Sequence, residues 1–84
     1  MGLIHRLALL ERMDGLIRRK STGNRCQLAA RLRVSIRTIS NLRDELEELG
    51  ADIRFDRQRN SYVYTYPVQF NWSLSPLSAA KNSR

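Results

Sequence analysis

Apolar residues recur at Leu3, Leu7, Leu10, Met13, Leu16 and Ile17. This three-and-four spacing predicts a helix over residues 3–19 with one face turned to a core. Gly15 within it weakens the helix by roughly 1 kcal/mol relative to Ala, and Ser21-Thr22-Gly23 ends it. A second helix is expected after Asn24, a good N-cap, with Gln27 three residues on to complete a capping box. Leu28, Ala29 and Leu32 form its short apolar stripe, which ends near Leu32 or Arg33. Ser35 is the next N-cap. A third helix runs from it to about Leu49, with Gly50 in the left-handed position that stops it. Ile39, Leu42, Leu46 and Leu49 are spaced three, four and three, and are expected to face the core together.

After Gly50 the period changes to two. Ile53 and Phe55 alternate with Arg54, and Tyr62, Tyr64 and Tyr66 alternate with Val63 and Thr65. The polar run from Asp56 to Ser61 between them predicts a β-hairpin, with Phe55 opposite Tyr62 and Ile53 opposite Tyr64. Asn60 is the turn residue expected at positive φ. Beyond Pro67, the residues Val68, Phe70 and Trp72 suggest a further extended segment and an exposed apolar run. Residues 73–84 are expected to be a disordered C-terminal tail. Eighty-four residues with 42% hydrophobic content make one domain with a small core, taken as residues 1–72. The fold class is mainly α with a small β-hairpin.

Helix, short helix, tight turn, longer helix and hairpin is the order of a winged helix-turn-helix. The turn Arg33-Val34-Ser35 is the discriminating part, because two helices joined so closely must cross steeply. Ala29 supplies the small residue at the crossing, and Val34 and Ile39 supply apolar contacts at the elbow. Such units usually end the first helix on a glycine four residues after that alanine. Arg33 stands there instead, at a cost of about 1 kcal/mol for positive φ.

The formal net charge is +7. Its distribution matters more than its size. From Arg18 to Arg43 there are eight basic residues and no acidic one, and from Asp44 to Asp56 six acidic residues face only Arg54. Arg57 and Arg59 follow, with no acid after them. This segregation suits a surface that meets phosphate in some places and avoids it in others. Cys26 and His5 are the only residues of their types. They allow no intramolecular disulfide and are too few for a structural zinc site, so no metal and no cofactor is expected. No phosphate loop, nucleophile motif or acid/base pair marks an enzyme. His5, Arg6, Glu11 and Arg12 interrupt the first apolar run, and no stretch nears the ~18 residues of a membrane span. A cytoplasmic protein with no membrane partner is the expectation.

The run Gln27-Leu28-Ala29-Ala30-Arg31-Leu32-Arg33-Val34-Ser35-Ile36-Arg37-Thr38-Ile39 resembles the DNA-binding heads of bacterial regulators of the DeoR, WYL-domain and biotin-repressor types, whose pattern is roughly (E/Q)-L-A-x-x-L-x-V-S-x-R-T-I. Gly50 to Arg57 and Ser61 to Tyr64 are similar to their wing, and the likeness spans residues 7 to 66. It implies a winged helix-turn-helix fold and double-stranded DNA as partner. Those regulators usually carry a C-terminal effector or catalytic domain, which is not expected within these 84 residues.

The helix wheel assigns the roles. With Ile39, Leu42, Leu46 and Leu49 inward, Arg37, Ser40, Asn41 and Asp44 point outward. Arg37, Ser40 and Asn41 lie in the half that enters the major groove, where Arg pairs with guanine and Asn with adenine. Ile36 borders this face and can reach a thymine methyl. Arg25, Ser35, Thr38 and Arg43 are candidate phosphate contacts. Arg57, Gln58 and Arg59 in the wing, residues 56–61, are candidates for the adjacent minor groove or its backbone. Arg18, Arg19 and Lys20 fit either a further phosphate clamp or a solvated helix end. Glu45, Glu47 and Glu48 require the far half of the helix to leave the groove. A homodimer would double the contacts on a two-fold site. Two alternatives share the scaffold: an excisionase-like architectural DNA-binding protein, and a protein-interaction module docking through Val68, Phe70 and Trp72.

Overall fold

The computed structural model describes residues 2–72, and the expected disordered tail at 73–84 lies outside them. Three helices come first: α1 (Leu3–Arg18), α2 (Arg25–Leu32) and α3 (Ile36–Glu48). Strands β1 (Ile53–Asp56) and β2 (Ser61–Tyr64) follow as an antiparallel hairpin in the expected register, Phe55 opposite Tyr62 and Ile53 opposite Tyr64. This is a winged helix-turn-helix architecture.

The core gathers one face of each element. Leu9, Leu10, Met13 and Ile17 of α1 meet Leu28, Ala29 and Leu32 of α2, Ile39, Leu42 and Leu46 of α3, and Ala51 and Ile53. Two expectations need correction. Leu3 and Ile4 are 69% and 73% exposed, because the first turn of α1 has nothing packed on it, while Leu9 is buried. Leu49 is exposed at 57% rather than facing the core. The chain leaves the helical path at Gly50 (φ 112), and the buried residue of that turn is Ala51, whose N–H donates to Leu46 O at 3.1 Å.

All three helices end with the same backbone pattern. Ser21 N–H donates to Leu16 O, Val34 N–H to Ala29 O and Ala51 N–H to Leu46 O, each across five residues. The left-handed residue in each is Lys20 (φ 57), Arg33 (φ 58) and Gly50. Only at Gly50 is that conformation free of a Cβ penalty. Arg33 therefore does adopt the positive φ that the missing glycine would have taken.

Two polar clusters join distant parts of the chain. Thr22 and Ser61 are fully buried side by side. Ser61 Oγ accepts from Thr22 N–H at 3.1 Å, and Thr22 Oγ1 accepts from Tyr62 N–H at 2.8 Å. The α1–α2 loop is thereby tied to the start of β2. At the other cluster, buried Asp14 accepts from Arg18 Nε (2.9 Å), Tyr64 OH (2.6 Å) and Trp72 Nε1 (3.3 Å). Val68, Phe70 and Trp72 form no strand, and they are not an exposed run. They are half-buried against the core, Phe70 stacking obliquely on Trp72 at 5.2 Å and on Tyr64 at 6.2 Å. The Phe70 ring is partly covered by Tyr64 and by the guanidinium of Arg18.

Candidate nucleic-acid interface

The site is built on the crossing of α2 and α3. Asn24 Oδ1 accepts from Gln27 N–H and Gln27 Oε1 accepts from Asn24 N–H, both at 2.8 Å, so the capping box opens α2 as expected. Ala29 is buried, Arg33 turns the chain and Val34 plugs the elbow. Ser35 then caps α3: its Oγ accepts from Thr38 N–H at 3.1 Å and lies 3.0 Å from Thr38 Oγ1. The hydroxyl oxygens of Ser35 and Thr38 are thus partly occupied by the cap. With Ile39, Leu42 and Leu46 buried, the outer face of α3 carries Ile36, Arg37, Ser40, Asn41 and Asp44, all exposed.

The ion pairs sort the cations into two groups. Arg6 bridges to Glu45 of α3, Arg18 to Asp14, Arg43 to Glu47, Arg54 to Asp52 and Arg59 to Asp56. Among the described residues, Arg12, Arg19, Lys20, Arg25, Arg31, Arg33, Arg37 and Arg57 have no carboxylate partner. Four of them, Arg25, Arg31, Arg33 and Arg37, lie from the start of α2 to the start of α3, a stretch without a carboxylate. Unpaired guanidinium groups on one continuous segment raise the local positive potential where an anionic polymer would approach.

Two arginines behave differently from the sequence expectation. Arg43, a candidate phosphate contact, is half-buried. Its guanidinium donates to Ile53 O at 2.8 Å, lies 5.8 Å from the Tyr62 ring and pairs with Glu47. Arg18 donates to Val68 O at 2.6 Å and sits 5.3 Å over Tyr64 and 5.9 Å over Phe70. Both guanidiniums hold the hairpin or the segment after it onto a helix. The acidic half of α3 is also partly spent inside the molecule, with Glu45 on Arg6 and Glu47 on Arg43.

The wing is a closed turn. Asp56 Oδ1 accepts from Gln58 N–H at 2.9 Å, Asn60 N–H donates to Arg57 O at 3.3 Å, and Asn60 takes φ 51. Arg59 is held by Asp56 at 3.4 Å, which leaves Arg57 as the unpaired cation of the tip. Asn60 Nδ2 also donates to Gln27 Oε1 at 3.1 Å, so the tip touches the first turn of α2 beside Arg25. Sequence reasoning placed Asn60 in the turn but missed this contact, for which its only signal was an amide in a polar loop.

Among the described residues, Asp52 and Tyr64 have perturbed ionisation, both away from the outer face of α3. The Thr65 hydroxyl, bonded to Asp52 at 2.7 Å, holds that carboxyl below its usual range, with help from Arg54. Burial and the bond to Asp14 push the Tyr64 phenol upward. Among the described residues no group of His, Cys, Asp and Glu could hold a metal ion, and no helix is long and apolar enough to cross a membrane. Comparison with known proteins finds no matching family model, no similar curated protein and no similar solved structure.

Proposed function

We propose that this chain binds double-stranded DNA sequence-specifically, as a transcriptional regulator. The start of α3 lies in the major groove, and the wing lies on the neighbouring minor groove or backbone. The observation that carries the reading is the outer face of α3: Ile36, Arg37, Ser40 and Asn41 are exposed, free of carboxylate pairing, and backed by the buried row Ile39, Leu42 and Leu46. Arg37 and Asn41 are of the residue types that pair bidentately with guanine and adenine. Arg25 and Arg57 supply phosphate contacts on either side. The packing of Val68, Phe70 and Trp72 against the core removes the motive for a protein-docking module.

Selection of bound duplexes from a random pool tests this directly. The expected result is one enriched motif, two-fold if a pair of chains binds. Its affinity should fall steeply with salt, with a slope of roughly −3 or more per chain in log–log form. A pool that shows no enrichment over input would overturn the reading.

A further inference from the structure

We infer that Asn60 is a positioning residue: its side-chain amide latches the wing to the start of α2, so that Arg25 and Arg57 grip one phosphate backbone as a unit. This rests on the DNA-binding reading above and adds to it a part of the interface that touches no DNA.

Gln27 Oε1 is the receiving atom. It takes Asn24 N–H at 2.8 Å and Asn60 Nδ2 at 3.1 Å, so both lone pairs of one carbonyl oxygen are used. Arg25 follows Asn24 directly, and Arg57 O closes the wing turn on Asn60 N–H at 3.3 Å. Two short steps therefore connect the two unpaired arginines. The backbone before α2 is shaped around this side chain. Gly23 has φ +73, and a Cβ there would come within 2.6 Å of Gln27 Oε1 and 2.7 Å of its Cβ. The base of the wing is separately held by the buried Thr22–Ser61 pair. The tip has no core of its own, since Arg57, Gln58, Arg59 and Asn60 are all exposed. Without the latch it would be the mobile part of the interface and would be ordered only on binding, at a cost in affinity.

Asn60→Gly separates this role from the turn itself, because glycine takes φ 51 without a Cβ penalty and keeps the turn. The expected results are faster backbone motion at residues 57–60 by nuclear spin relaxation and about fivefold weaker binding to the selected duplex. A double-mutant cycle of Arg25→Ala and Arg57→Ala should be non-additive in the wild-type chain and additive in the glycine variant. Wild-type binding with an unaltered Asn60→Gly variant and an intact cycle would overturn the latch alone. Failure of the wild-type chain to enrich any duplex would overturn the DNA reading, and the inference with it.

Discussion

Arg18 and Arg37 are the same residue type, each near the end of a helix, yet they sit in opposite circumstances. Arg18 has a carboxylate one turn back, a carbonyl at 2.6 Å and two aromatic rings under its guanidinium. Arg37 has neither carboxylate nor ring beside it among the described residues. The first is consumed in holding the hairpin and residues 65–72 to α1. The second keeps its five N–H donors for a partner. The difference shows that density of basic residues along the chain is a poor guide to which cations stay available to a partner. What matters is which cations the fold has already paired.

The strongest way to test that division is at Asp14, on which Arg18, Tyr64 and Trp72 converge. Asp14→Ala leaves the half-buried Tyr64 phenol without its acceptor and takes from Arg18 its carboxylate. It is expected to lower stability by about 3 kcal/mol, read from the urea midpoint, with DNA affinity of the folded fraction unchanged. A loss under about 0.5 kcal/mol would mean that the cluster is ornamental rather than structural.

Arg37→Ala is the mirror experiment. It is expected to cost roughly 1–3 kcal/mol in binding to the preferred duplex and to relax preference at one base pair. The unfolding midpoint should hold within about 0.5 kcal/mol. Uniform weakening on every duplex would turn Arg37 from a base reader into a phosphate contact.

Arg43 sharpens the boundary, because the sequence grouped it with the phosphate contacts and the fold ties it to Ile53 and Glu47. Arg43→Ala is expected to destabilise by about 1 kcal/mol and to leave the salt slope of DNA binding unchanged. A slope shallower by about 0.9 would restore Arg43 to the phosphate set.

The smallest effect is a pH dependence at the Asp14 end. Burial, then the bond to Asp14, raise the Tyr64 pKa above its ordinary value of 10.0. The folded chain therefore keeps a proton that the unfolded chain loses. The stabilisation from this group is complete below pH 10 and is lost as pH climbs beyond it. Tyr64→Phe should flatten that decline in a series of thermal melts at alkaline pH, and an identical decline in the variant would assign it elsewhere.

Much of the frame was legible in order and spacing. The capping residues Asn24, Gln27 and Ser35, the positive φ at Asn60 and the register of Ile53 and Phe55 against Tyr64 and Tyr62 follow from local hydrogen bonding and from the periods 3.6 and 2. These are short-range effects, so neighbouring residues suffice to specify them. The outer face of α3 was legible for the same reason, because a helix with Ile39, Leu42 and Leu46 inward has Arg37, Ser40 and Asn41 outward by geometry alone.

The misreadings share one cause. Leu49 fits the apolar stripe but stands where the chain turns away from the core, and Leu3 fits it where no other element reaches. Asp14, Thr22 and Ser61 look like surface residues until partners 39 to 58 residues away are brought to them. By itself the sequence determined the helices, the hairpin and the direction each face points, because those depend on residues within a turn or two. Only the tertiary structure decided which arginines are also tied to a distant part of the fold. The carboxylate partners of Arg18 and Arg43 lie one helical turn away, but Arg6 reaches Glu45, Arg18 reaches Val68 O and Arg43 reaches Ile53 O only where packing brings separate elements together.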